Sequence, residues 1–299
     1  PLIMAFPLAA SGLPLVDVYF EAVSGVTTTG LSTAGPVQDR SPVFVFARSW
    51  LQWFGGLGIA VLSVALLMAP HAAARRFLQP AETENLATTA RVQARQILAV
   101  YLVITLAGLL VLWAVTGEGF RSLVLMLSTV STGGFAPDGS SLGGVPGVGA
   151  WVVTLFSLLG AVPLLLYFYA VRQGPGVLAG DAEVRALGVA VVLVGALLSV
   201  TLYLANAMDP AAALRHGFIM GISAQTTSGF SSLAVGELDP SAKLLLMGSM
   251  VVGGGVGSSA GGIKLLRLLV VLRLLQVFLR ATSMPPHAVA RPYLAGRPL

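Results

Sequence analysis

The sequence predicts an all-α integral membrane protein, built from repeated helix–pore loop–helix units with re-entrant pore helices. Three observations carry that expectation. Of 299 residues, 56% are hydrophobic and 10% are charged, and the mean hydropathy is +0.88; a soluble domain carries about 25% charged residues. Several apolar stretches reach the roughly 20 residues that a bilayer-crossing helix needs. A phrase of hydroxyl residues running into glycine also occurs three times, as Thr27-Thr28-Thr29-Gly30-Leu31, Ser131-Thr132-Gly133-Gly134-Phe135 and Thr226-Thr227-Ser228-Gly229-Phe230.

The elements follow in order. Residues 2–8 read as the last turns of a helix that begins before Pro1, so the sequence is expected to be a fragment. Residues 15–26 form an apolar run too short to span and suited to a re-entrant helix, and the first phrase follows it. Residues 43–69 make a full span despite Arg48 and Gln52, and 70–96 read as a hydrophilic cytoplasmic loop with Arg75, Arg76, Arg91 and Arg95. The order then repeats: span 97–115, short run 119–130, second phrase, Gly/Pro-rich turn 138–149, span 150–171 and cytoplasmic segment 172–185. A third round gives span 186–205, short run 211–224, third phrase, polar turn 236–243 and a long apolar segment 244–279 interrupted by glycines, before a Pro-rich tail. The units are thus expected over 1–75, 76–180 and 181–299.

Charge and residue types narrow the function. There are no cysteines, and His71, His216 and His287 lie far apart without ligand spacing, which argues against a metal centre. The net charge of +5 reads as cytoplasmic Lys/Arg rather than a nucleic-acid surface. Arg75, Arg76, Arg91, Arg95, Arg172, Arg185, Arg280, Arg291 and Arg297 fall on one side, and Asp17, Asp39, Glu118, Asp138, Asp209, Glu237 and Asp239 on the other. Positive-inside then puts the phrases near the outer face, where acidic residues would concentrate cations.

Backbone carbonyls of a Thr/Ser-Gly strand can replace a cation's hydration shell, and glycine reaches dihedral angles closed to other residues. A re-entrant helix ahead of such a strand points its negative C-terminal end at the cation. A single copy would read as helix packing or a plain loop; three copies in three similar settings point to a pore. The stretch Gly253-Gly254-Gly255-Val256-Gly257-Ser258-Ser259-Ala260-Gly261-Gly262-Ile263-Lys264 has neither a Walker motif nor a dinucleotide context. It reads as unwound backbone inside a membrane helix, tolerated where it lines a cavity. Lys264 and Arg267 are spaced to share one face of the resumed helix; such charge is either functional or snorkels to the interface.

These phrases, with the glycine-rich stretch, Phe20-Glu21-Ala22-Val23-Ser24-Gly25 and Trp50-Leu51-Gln52-Trp53-Phe54-Gly55-Gly56-Leu57-Gly58, resemble the Trk/Ktr/HKT superfamily of potassium transporters, in particular its TrkH and KtrB subunits. The resemblance implies four helix–loop–helix repeats around one pore in the plasma membrane. Its filter glycines would be Gly30, Gly134 and Gly229, flanked by Thr28, Thr29, Thr132, Gly133, Thr227 and Ser228. Gly30, where sodium-transporting plant relatives carry serine, implies potassium. The stretch with Gly253, Gly254, Gly255, Gly257, Ser258, Ser259, Gly261 and Gly262 would be the intramembrane gating loop, with Lys264 beside it and Arg267 in the permeation path. The resemblance further implies a homodimer in the lipid bilayer and a cytosolic TrkA/KtrA-type regulatory subunit that carries the nucleotide. The chain itself would need no cofactor beyond potassium as substrate. A fourth repeat expected after the gating loop is not in this sequence.

The rival reading is a secondary transporter with alternating access, whose broken helices form a midplane site for another solute. Enzymatic chemistry is not expected, because no Ser-His or paired-Asp arrangement falls at matching depth, and His216 reads as interfacial.

Overall fold

A computed structural model describes residues 7–76, 83–281, 293–294 and 297–298. In chain order, helix α1 (Leu15–Val26) is followed by α2 (Pro42–Arg76), α3 (Thr83–Thr116), α4 (Gly119–Val130), α5 (Gly147–Ala161), α6 (Leu164–Gln173) and α7 (Gly176–Gly180). Then come α8 (Ala182–Ala205), α9 (Pro210–Gln225), α10 (Pro240–Val251) and α11 (Leu265–Ala281). Strand pairing among the described residues is confined to Tyr293–Leu294 against Arg297–Pro298 and a parallel bridge between Val252 and Ile263.

Among the described residues three helices are long and apolar enough to cross a membrane: Pro42–Val64, Ala90–Thr116 and Ala182–Ala205. The short apolar runs form α1, α4 and α9, each ending at a phrase. Two expectations need correction. Most of 70–96 is helix rather than loop, since α2 runs to Arg76 and α3 starts at Thr83; the arginines there do not stop a helix that propensity favours. Residues 150–171 are not one continuous helix either, because α5 and α6 meet at an 86° bend. Pro163 is the cause: it lacks an N–H and cannot continue the helix. The start of residues 2–8, and most of the Pro-rich tail, lie outside the described residues.

Helix starts follow local chemistry. Asp209 and Asp239 each precede a proline at the first helical position, and their carboxylates accept backbone N–H groups of α9 and α10. The hydroxyl and amide of Ser241 hold the Asp239 carboxyl below its ordinary pKa. Asp181 caps α8 in the same way.

Packing uses close approach as well as bulk. A Cβ on Gly221 of α9 would come within 2.9 Å of the Gly195 Cα on α8, the small-residue contact typical of membrane helices. The largest apolar cluster joins Trp53 and Ala60 of α2, Tyr101, Ile104 and Leu112 of α3, and Leu125, Met126 and Val130 of α4. Within it Tyr101 donates to the Trp53 carbonyl at 3.1 Å and the Trp53 indole donates to the Thr105 hydroxyl at 3.0 Å. Outward faces stay apolar: Val103, Leu106 and Leu110 on α3 and Val189, Val192 and Leu204 on α8 are exposed. Such surfaces suit lipid rather than water.

Candidate functional site

The three phrases share one backbone conformation. At the end of α1, α4 and α9 the residues Thr28, Thr132 and Thr227 have positive φ of 54°, 51° and 57°. Two positions later Gly30, Gly134 and Gly229 have φ of 80°, 79° and 75°. Each helix closes with the same pair of bonds. The amides of Thr28, Thr132 and Thr227 donate to the carbonyls of Gly25, Thr129 and Ala224, and those of Thr29, Gly133 and Ser228 to the carbonyls of Ser24, Ser128 and Ser223. This is a Schellman closure with threonine where glycine is usual. A β-branched residue there is a genuine outlier, costing about 1–3 kcal/mol. Three such outliers stand at equivalent positions of the three copies. The hydroxyls of Thr132 and Thr227 turn back onto the preceding carbonyls at 2.7 Å, and the Ser228 hydroxyl bonds within its own turn to Ser223 and Thr226. In these two turns the main-chain carbonyls are therefore the main oxygens not already engaged.

The phrases stand head to tail. A Cβ added to Gly30 would overlap the Gly133 carbonyl oxygen, and one added to Gly134 would overlap that of Ser228. The second phrase thus lies between the other two and is mostly buried, while Thr27, Thr29 and Gly229 are exposed. Glycine is required by φ at all three positions, and at Gly30 and Gly134 by close approach as well. Each turn also sits at the carboxyl end of a helix, where the dipole favours a cation.

A different buried polar side chain stands near each phrase. Behind the first, Glu21 accepts from the Ser32 hydroxyl and Thr33 amide, both at 2.7 Å, and from the Ala34 amide at 3.2 Å. Its other oxygen lies 2.7 Å from the Arg48 Nε, and the Arg48 guanidinium stacks 3.8 Å over the Phe135 ring. Behind the second, the Gln52 carboxamide bonds Gly133 and Phe135. Behind the third, Gln225 donates to the Val252 carbonyl at 2.8 Å and accepts from the Ser249 hydroxyl at 3.0 Å. His216, half-buried, pairs with the Ser232 hydroxyl at 2.8 Å.

The glycine-rich stretch breaks the helical path between α10 and α11 and docks on the break between α5 and α6. Gly255 and Ser259 amides donate to the Ala161 and Gly160 carbonyls at 2.9 and 3.1 Å, and the Leu164 amide donates to the Gly257 carbonyl at 3.1 Å. Each broken helix completes the other, as backbone in hydrocarbon requires. Gly253 and Gly254 pair with Ile263 and Leu265, and the Ser258 hydroxyl donates to the Gly255 carbonyl at 2.6 Å. The turn at Gly262 has φ of 67°. One bond ties the loop to the end of α4, from the Ser259 hydroxyl to the Val130 carbonyl at 2.8 Å, and one to the third phrase, from the Gly261 amide to the Thr227 hydroxyl at 2.7 Å. From α8, Glu183 accepts the Val256 amide at 2.6 Å. Lys264 precedes α11 instead of standing on its face, and its ammonium turns back to the Ser258 and Ala260 carbonyls. Arg267 is exposed.

Glu21, Arg48, Gln52, Glu183 and Gln225 were not singled out as site residues by the sequence. Polar groups inside apolar runs were the available signal. The repeat is also longer than the phrase itself: Ser24, Ser128 and Ser223 each stand six residues before the filter-like glycine, giving Ser-x-x-Ser/Thr-Thr-x-Gly in all three copies.

Residues 2–298 match the family model described as TrkH, cation transport protein. The chain belongs to the TrkH family. The potassium uptake protein TrkH of Salmonella typhimurium is 29% identical over 271 residues, which is 87% of this chain and 56% of that protein. TrkH of Escherichia coli K12 is 28% identical with the same coverage. The crystal structure of the potassium transporter TrkH from Vibrio parahaemolyticus superimposes with a TM-score of 0.82 at 27% identity, over 96% of this chain and 60% of that one. The chain therefore spans a little over half the length of its TrkH relatives. These TrkH proteins are named for transport, not for catalysis of a covalent reaction.

Proposed function

We propose that this chain is part of a potassium-translocating membrane subunit of the plasma membrane, working by permeation and without covalent chemistry. The observation that carries the reading is the head-to-tail set of three identical turns, each with threonine and glycine at positive φ at the carboxyl end of a short helix. Neutral carbonyl oxygens fit a weakly hydrated alkali cation, which takes oxygen ligands without demanding a charged cage. The filter residues are Thr28, Thr29, Gly30, Thr132, Gly133, Gly134, Thr227, Ser228 and Gly229, spread over units 1–75, 76–180 and 181–299. Residues 253–262, with Lys264 and Arg267, act as a gate, because the loop is bonded to the end of α4 and to the third phrase. A homodimer and a cytosolic nucleotide-binding regulator complete the system.

The alternating-access reading draws support from the two broken helices, but it gives no reason for three strained threonines at equivalent positions. The test uses the full-length gene in a bacterium deficient in potassium uptake. Rescue by wild type, with loss of uptake or relaxed selectivity in Gly134→Ser, is the expected result. A well-expressed wild type that fails to rescue when supplied with its regulator, or a Gly134→Ser variant indistinguishable from wild type, refutes it.

A further inference from the structure

Gln52 is fully buried in α2, inside a membrane span. A polar side chain at that depth is costly unless bonded, and this one is bonded twice, to a neighbouring unit. Its Nε2 donates to the Gly133 carbonyl at 2.5 Å, and its Oε1 accepts the Phe135 amide at 3.1 Å. One orientation of the carboxamide satisfies both bonds; the flipped one would face donor to donor and acceptor to acceptor. The two bonded groups bracket Gly134.

The consequence follows from peptide planarity. The Phe135 N–H and the Gly134 C=O belong to one trans peptide unit and point in opposite directions. With the N–H held toward α2, the Gly134 carbonyl is aimed away from it. The Gly133 carbonyl is held toward Gln52, which commits a lone pair to the protein. Glycine at positions 133 and 134 leaves this backbone free to rotate, and nothing in its own side chains sets the direction. A Cβ on Gly133 would come within 2.7 Å of the Gln52 Nε2, and one on Gly30 within 3.9 Å of the same atom. The carboxamide therefore sits at the junction of the first and second turns.

We infer that Gln52 is a selectivity-determining positioning residue: its carboxamide fixes the Gly134–Phe135 peptide so that the Gly134 carbonyl, and not the Phe135 N–H, faces the ion. The inference rests on the permeation reading above. Without the clamp the peptide can flip, presenting a donor where the cation needs an acceptor. Discrimination of potassium from sodium depends on the carbonyl dipoles that face the ion, so the loss falls first on selectivity.

The experiment measures rubidium and sodium uptake by full-length protein in proteoliposomes, with its regulator present, for wild type, Gln52→Met, Gln52→Glu and Gly134→Ser. Gln52→Met keeps the volume and loses both bonds; Gln52→Glu keeps shape and acceptor but, when ionised, has no donor for Gly133. The expected result for each monodisperse Gln52 variant is a drop of about tenfold in the rubidium-to-sodium ratio, equivalent to about 1.4 kcal/mol. A monodisperse Gln52→Met with the wild-type ratio overturns the inference. If Gln52→Met does not fold, a wild-type ratio in Gln52→Leu, which also loses both bonds, overturns it instead. If Gly134→Ser shifts the ratio while Gln52 variants do not, permeation stands and the clamp falls. If Gly134→Ser is also silent, the permeation reading itself has failed.

Discussion

Neutralising one half of the Glu21–Arg48 pair is expected to damage the fold more than removing both halves. The two side chains are 0% and 3% exposed, 2.7 Å apart. Glu21→Gln preserves the shape and leaves an oxygen to accept from Ser32, Thr33 and Ala34, but it strands the Arg48 guanidinium, which then has the Phe135 and Phe44 rings beside it. Breaking a buried pair on one side costs about 3–5 kcal/mol, whereas exchanging both partners for apolar groups of similar volume is often neutral. The shift is about 2–4 °C per kcal/mol for 150–250 residues and smaller for a longer chain, so Glu21→Gln is expected to lower the melting temperature by roughly 3–8 °C. Glu21→Gln with Arg48→Met is expected to recover at least half of that loss, since methionine packs against the same rings. Thermal unfolding of the full-length protein in detergent, followed by tryptophan fluorescence, gives all the corners of the double-mutant cycle. A double variant that loses the sum of the single losses, or a Glu21→Gln variant melting within about 1 °C of wild type, refutes the coupling argument.

Gly134→Ala adds a Cβ over the Ser228 carbonyl at φ of 79° and should cost several-fold in rubidium uptake. Gly58→Ala, with open space around the helical position, should leave uptake unchanged and add up to about 1 kcal/mol of stability. Thr227→Val removes the acceptor for the Gly261 amide and should raise uptake measured without the regulator; Thr227→Ser, which keeps the hydroxyl, should stay closer to wild type. Glu183→Ala releases the Val256 amide and should likewise raise unregulated uptake several-fold, while Glu183→Gln, with an oxygen in place, should not. Equal behaviour of Ala and Gln at this position in the same flux assay would count against the latch.

Much of this was legible in the sequence, because the features that carry it are local. Asp209-Pro210 and Asp239-Pro240 announce helix starts through their own chemistry, and the apolar runs that become α1, α4 and α9 are bounded by the phrases themselves. The resemblance to the family rested on the same contiguous residues. What could not be read depends on distant partners. Gln52 gains its role from residues 81 and 83 positions away, and Glu183 from an amide 73 positions away. The bend at Pro163 was present as a residue type, but apolar residues on both sides made 150–171 look continuous. Lys264 was expected on a helical face; the carbonyls that turn it back belong to a loop whose path no periodicity encodes.

The mutual docking of the two broken helices has a consequence for water. Lifting residues 253–262 away from the bend would separate Gly255 from Ala161, Ser259 from Gly160 and Leu164 from Gly257, leaving six main-chain groups to be satisfied. In hydrocarbon each such group costs several kcal/mol. If residues 253–262 act as the proposed gate, the loop leaves only as solvent enters, so its movement and the wetting of the space it vacates are one event. Osmolytes too large to enter should then hold the pathway shut, and the number of waters admitted should be readable from the slope of flux against osmotic pressure.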